Sequence, residues 1–259
     1  SLAEANTYYT VQAAPTTRAY LSVFFNNGGI KCKVIEGVAY SALTADMIAN
    51  LDNEDVLIAC AIADTNREAG YAAIKALAQT RASSAEIYGI NEKILLARTN
   101  SANDTSSIKN FGSKFSNVLG AEMTIAAYLT QIDVYKNDTV HDYSFTAESI
   151  TNESLTDSDF ATIQDNNMNV DIYLANAVRN IGGNLKDGND LVNEFVRIIL
   201  HQTLTERLLL LLASKLKSNR GISQIYTTIA QELENYRTCG YLTTDKVWDK
   251  DDLIMTYNN

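Results

Sequence analysis

NVDIYLANAVRNIGGNLKDGNDLVNEFVRIILHQTLTERLLLLLASKLKSNRGISQIYTTIAQELENYRTCG, residues 169 to 240, is the stretch on which the fold turns. A short apolar strand is expected over Val170–Ala177. Glycine-bearing turns follow at Gly182-Gly183 and Asp187-Gly188. A long helix then begins behind Asn189 or Asp190, either of which can cap it. Its first half is amphipathic: Leu191, Phe195, Ile198 and Ile199 share one face, and Glu194, Arg197, His201 and Thr205 line the other.

Beyond Thr205 the pattern changes. Leu208 to Ala213 are six consecutive apolar residues, more than the ~3.6 of one helical turn. No side of that turn can face water without exposing leucine, so it belongs inside the domain or against another subunit. The run is far short of the ~20 apolar residues that span a bilayer. The second helix carries Ile222, Ile225, Tyr226, Ile229, Leu233 and Tyr236 at helical spacing, and Gly240 is its expected stop. The pair reads as a helical hairpin on a strand.

Upstream, Ala3–Gln12 is a helix candidate. Tyr20–Phe25 is a strand-like apolar run entering the turn Asn26-Asn27-Gly28-Gly29, with Ile30–Ile35 as the second strand of a hairpin. Thr44 caps a short helix to Leu51. Asp55–Ala61 is a buried strand, Asn66–Arg81 an Ala-rich helix, and Ala85–Ile90 and Lys93–Ala97 are strands. Thr105–Leu119 and Ala121–Leu129 are helix candidates. Ile132–Tyr135 and Val140–Phe145 flank a turn, and Thr156 with Asp159 forms a capping box for a helix to Ile163. The alternation implies an α/β fold, a mixed sheet flanked by helices, with residues 1–168 as an amino-terminal part and 169–259 as a carboxyl-terminal domain.

An apolar fraction of 46% suits a soluble protein with a core. No signal peptide or membrane helix is read. The chain starts with Ser1 rather than Met, which points to processing, trimming or missing residues. Cys32, Cys60 and Cys239 are odd in number and lack CxxC spacing, so neither a disulfide framework nor a zinc site is expected. His141 and His201 have no metal-ligand spacing, and no phosphate-binding loop or nucleophile elbow is present. Catalytic, cofactor-binding and metal-binding residues are therefore all read as none. A net charge of −10 argues against nucleic acid. Asp133–Asp171 holds nine acids and one base, whereas Arg207–Arg220 holds four bases and no acid.

The strand, the GGNLKDGND turns, the helix ending in LLASKLKSNRGI, the second helix and the closing GYL resemble the carboxyl-terminal conserved domain of contractile-tail sheath proteins of phages and related injection particles. AAYLTQIDVYKNDTVHDYSFTAESIT and LTDSDFATIQDNNMNVDIYLAN, which precede them, are also sheath-like. The resemblance spans roughly residues 85 to 250. It implies a structural, non-enzymatic subunit that stacks with itself in rings, usually hexameric, around a tail tube. Such a sheath contracts to drive the tube through a target envelope. Baseplate and tail terminator proteins are the further partners, no cofactor, nucleic acid or membrane is involved, and the setting is a virion assembled in the bacterial host cytoplasm. The resemblance makes Lys215, Lys217 and Arg220 tube-facing candidates; their other reading is as complements to the carboxyl end of their own helix. It makes Val247, Trp248, Leu253, Ile254 and Met255, with the first two dozen residues, strand-exchange candidates. The chain is shorter than typical members and shows no evident amino-terminal arm. Two alternatives stand beside this reading: a small-ligand-binding or enzymatic α/β domain, and a non-sheath tail or baseplate component.

Overall fold

The computed structural model describes residues 1–9, 15–34, 56–59, 61–62, 66–88, 93–101, 108–132, 144–145, 155–174, 176–212 and 219–242. Among these residues lie the helices α1 (Leu2–Tyr8), α2 (Pro15–Asn26), α3 (Arg67–Tyr88), α4 (Met123–Leu129), α5 (Asp157–Asp165), α6 (Leu191–Leu212) and α7 (Asn219–Thr238). The strands are β1 (Leu57–Ala59), β2 (Ile94–Thr99), β3 (Phe111–Phe115), β4 (Ser144–Phe145), β5 (Asn169–Leu174) and β6 (Ala177–Ile181). They form one sheet in the order β1-β2-β3-β5-β6-β4. The first four run parallel, and β6 lies antiparallel between β5 and β4. The expected α/β class and mixed sheet are what the chain adopts.

The chain divides into two compact units: a sheet unit of residues 1–132 and 141–195, and a helix-pair unit of 133–140 and 196–259. The division falls within α6. Residues 169–195, grouped above with the carboxyl-terminal domain, pack with the sheet, where β5 is held in register to β3.

Side chains alternate along a strand, so register assigns the faces. Leu95, Ala97 and Phe111 point to one face, where Ile74, Leu77 and Ala78 of α3 cover them. Phe115, Val170, Ile172 and Ile181 continue the apolar layer against Phe160 and Ile163 of α5. The opposite face is polar at its centre: Arg98 pairs in register with Lys114, and Asp171 with Asn180. On that face Gly112 leaves room for α6, since a Cβ there would stand 2.8 Å from Leu96 and 3.5 Å from Leu191.

Local signals held where they were complete. Thr156 and Asp159 form the expected capping box of α5. Asp190 caps α6, its Oδ1 accepting from the Asn193 amide at 2.7 Å. The turns before α6 are stitched to the sheet by Asn169. Its Nδ2 donates to the Ser113 and Asn184 carbonyls at 3.1 and 2.9 Å, and its Oδ1 accepts from the Gly183 amide at 2.6 Å.

Other expectations are corrected. Tyr20–Phe25 is not a strand. It belongs to α2, and its buried residues Tyr20, Leu21, Val23 and Phe24 sit at helical spacing. Asn27-Gly28-Gly29 ends that helix: the Gly29 amide donates to the Phe24 carbonyl and the Gly28 amide to that of Phe25, with Gly28 at φ 86°. Asn-Gly serves a helix end as readily as a hairpin. Residues 30–34 form no strand. Thr105–Leu119 is not a helix where described, because Phe111–Phe115 pairs with β2 as β3; its glycine and serine are weak helix formers. Ala85–Tyr88 continue α3 instead of forming a strand. Val170–Ala177 is a two-strand turn, with Asn176 at φ 64° between β5 and β6. The expected helix over Thr44–Leu51 lies outside the described residues.

The α1–α2 pair is tied to the sheet through charge. Tyr20 donates its phenol hydrogen to Glu122, which precedes α4, and Arg98 Nε of β2 stands 3.9 Å from the other carboxylate oxygen. Burial pushes Glu122 up to about 7, against the pull of the Tyr20 hydrogen bond and the Arg98 and Lys114 charges. Burial, and next the Glu122 charge, raise the Tyr20 phenol far above its ordinary range, so it stays a donor. Between the ordinary glutamate value of 4.5 and about 7, the folded chain therefore holds a proton that the unfolded chain has lost. Stability from this group is complete below that window and falls as pH rises through it, on the order of 3 kcal/mol. Glu122→Gln is accordingly expected to gain stability on the wild type as pH goes from 5 to 8. Urea midpoints at the two pH values check this; a constant difference would contradict it.

Candidate assembly surface

The carboxyl ends of β2 and β3 are where a parallel sheet usually offers a ligand site. Here that region is filled. Lys114 donates to Asp171 and, at 2.8 Å, to Asn180 Oδ1. Arg98, Lys114, Glu122 and Asp171 are all buried. These charges answer one another inside the fold. Among the described residues no group of His, Cys, Asp or Glu could hold a metal ion, and no helix is long and apolar enough to cross a membrane.

The helix-pair unit is built from α7 and the greater part of α6. Ile222 and Tyr236 are buried on α7, with Ile225, Tyr226, Ile229 and Leu233 half-buried on the same stripe. Gly240 ends the helix as expected. Its amide donates to the Arg237 carbonyl and that of Tyr241 to Tyr236, and the Tyr236 and Tyr241 rings meet at 6.4 Å. Sequence reading missed Glu232, a fully buried acid on this stripe, held by Arg207 Nη1 of α6 at 2.7 Å. Its neighbour Leu233 continues the apolar pattern, so nothing local marked it.

The leucine run has two fates. Leu208 and Leu211 are half-buried. Leu209 and Leu210 are 58% and 76% exposed, so the chain does not bury the run within itself among the described residues. Beside it, Leu211 with Ser223, Gln224, Thr227 and Thr228 of α7 lines an open groove.

Lys215 and Lys217 lie outside the described residues, between the end of α6 and the start of α7. Arg220 stands in the first turn of α7. Val247, Trp248, Leu253, Ile254 and Met255 also lie outside the described residues. Among the first two dozen residues, 2–8 and 15–24 are helical.

No protein-family model and no curated protein sequence matches the chain. Solved structures do. A chain in the cryo-EM structure of the six-fold symmetrised anti-feeding prophage baseplate aligns at a TM-score of 0.66 and 17% identity, covering 92% of this chain and 69% of that one. A chain of the anti-feeding prophage helical sheath in the contracted state aligns at 0.65 and 17% identity, covering 91% and 70%. In fold, the chain is sheath-like: its architecture is the one found in the baseplate and contracted sheath of that particle.

Proposed function

We propose that the chain is a structural subunit of a contractile tail sheath, which polymerises around a tail tube and contracts to drive the tube through a target cell envelope. The observation that carries this reading is the alignment of 91% of the chain with a contracted sheath subunit. The exposed Leu209 and Leu210 suit a subunit that works in a lattice. Contraction is rigid-body movement between two sets of interfaces, driven by the metastable packing laid down at assembly. It requires no catalytic residue and no cofactor. The partners are other copies in stacked, hexameric rings, the tail tube protein, and baseplate and terminator proteins; the setting is a virion built in the bacterial host cytoplasm. Lys215, Lys217 and Arg220 face the tube. Val247, Trp248, Leu253, Ile254 and Met255 pair with a neighbouring subunit.

A baseplate component is the second reading, favoured by the baseplate match. Co-sedimentation separates the two. A sheath subunit pellets with preformed tubes in a fixed ratio per tube length. A baseplate component stays in the supernatant or binds only at tube ends.

A further inference from the structure

Helix α2 is fixed to α4 and its flanks at two points. At its carboxyl end, Gln131 Nε2 donates to the Asn27 carbonyl at 2.8 Å, and the Ile30 amide donates to Thr130 Oγ1 at 3.4 Å. Gly28, at φ 86°, turns the chain there. Nearer its amino end, Tyr20 sits on the turn before α4. A Cβ at Gly120 would stand 3.3 Å from the Tyr20 Cα, and the Tyr20 hydroxyl donates to Glu122. Helix α1 adds little, burying only Ala5. We propose that the α1–α2 pair is a proton-controlled latch, docked on α4 while Glu122 is a neutral carboxylic acid and swinging out about Asn27–Gly29 as Glu122 ionises.

The surroundings of Glu122 single it out. It is 1% exposed, and Tyr20 is 4% exposed. Among the described residues, the cations acting on it come from the sheet: Arg98 of β2 and Lys114 of β3. Arg98 Nε stands 3.9 Å away, beyond hydrogen-bond distance. Lys114 is held by Asp171 of β5 and Asn180 of β6. From α2 comes the Tyr20 phenol, which keeps its proton. Helix α4 itself, Met123–Leu129, carries no charged side chain. An ionised Glu122 in the docked state therefore rests on one phenol hydrogen bond and a guanidinium out of bonding reach, which does not offset the loss of its water. A proton or water relieves it. Strands β2 and β3 are held by ladders on both sides, whereas α2 turns at a glycine hinge, so α2 is the element that yields. Burial holds the Glu122 proton up to about 7, against the ordinary value of 4.5 once water reaches it. Opening thus releases a proton between these values. Docking is strongest below 4.5, weakens about tenfold per pH unit through the window, and levels off above about 7. All of these groups lie within the sheet unit, so the latch does not depend on the sheath reading.

Hydrogen–deuterium exchange of the full chain from pH 5 to 8, corrected for the intrinsic pH dependence of exchange, reads the latch directly. The α2 amides, with those of Gly28 and Gly29 that donate to the Phe25 and Phe24 carbonyls, are expected to open about a hundredfold more often at pH 7 than at pH 5. The amides of Leu95 and Ser116, which donate to the Asn110 and Thr99 carbonyls beside the β2–β3 ladder, are expected not to follow. Glu122→Gln makes the opening of α2 independent of pH. Tyr20→Phe removes the hydrogen bond that favours the ionised form, so the rise continues past pH 7 instead of levelling; this variant serves if the glutamine variant does not fold. Exchange of α2 only together with β2 and β3, a pH response kept in Glu122→Gln, or a plateau unmoved in Tyr20→Phe overturns the proposal.

Discussion

Lys114→Met is expected to destabilise the sheet unit by about 3–5 kcal/mol, the usual cost of breaking a buried ion pair by removing one partner. Lys114 is 0% exposed and Asp171 is 1% exposed. The Lys114 ammonium is shared between Asp171 and Asn180, and Asp171 Oδ2 has no hydrogen-bond partner among the described residues. Methionine fills the volume but leaves a carboxylate buried without its cation. The loss lies with the stranded charge more than with the pair. Adding Asp171→Leu is therefore expected to recover most of it, since apolar groups of similar volume replace buried ion pairs at little cost. Urea unfolding of the single and double variants measures both steps. A single variant within 1 kcal/mol of wild type would place the pair in contact with water.

Lys215→Glu combined with Lys217→Glu is expected to block assembly on the tube while leaving the subunit folded. The Arg207–Arg220 stretch carries four bases and no acid, a net of +4, and the double reversal brings it to 0. Complementary charge governs encounter and register at an interface, and opposed like charges cost several kcal/mol there. Both lysines precede Asn219, where α7 begins. Unchanged circular dichroism with no sheathed particles is the predicted pair of results. Normal sheathed particles from the double variant would remove these lysines from the tube interface.

How far the sequence could be read depended on where each signal lay. The capping box at Thr156, the cap at Asp190 and the stop at Gly240 are written within a few residues, and each formed as read. Asn27-Gly28-Gly29 is local as well, but it fits a hairpin and a helix end equally; the packing of Tyr20 and Phe24 decides for the helix. β3 is weaker still in isolation, since FGSKF becomes a strand only through its ladder with β2. Arg98 and Lys114 look like surface residues in sequence. Register alone shows them side by side on a covered face, with Glu122 and Asp171 arriving from other elements. The leucine run was legible as an apolar excess, and the fold decides that Leu209 and Leu210 are the ones left exposed.

The most direct test is negative-stain electron microscopy of the purified chain, alone and mixed with its neighbouring tube protein. A sheath subunit yields long, striated hollow cylinders around the tube, and their pitch identifies the extended or the contracted state. Dispersed monomers under every condition would contradict the sheath assignment. A thermal-shift screen against nucleotides and sugars would then take up the ligand-binding alternative.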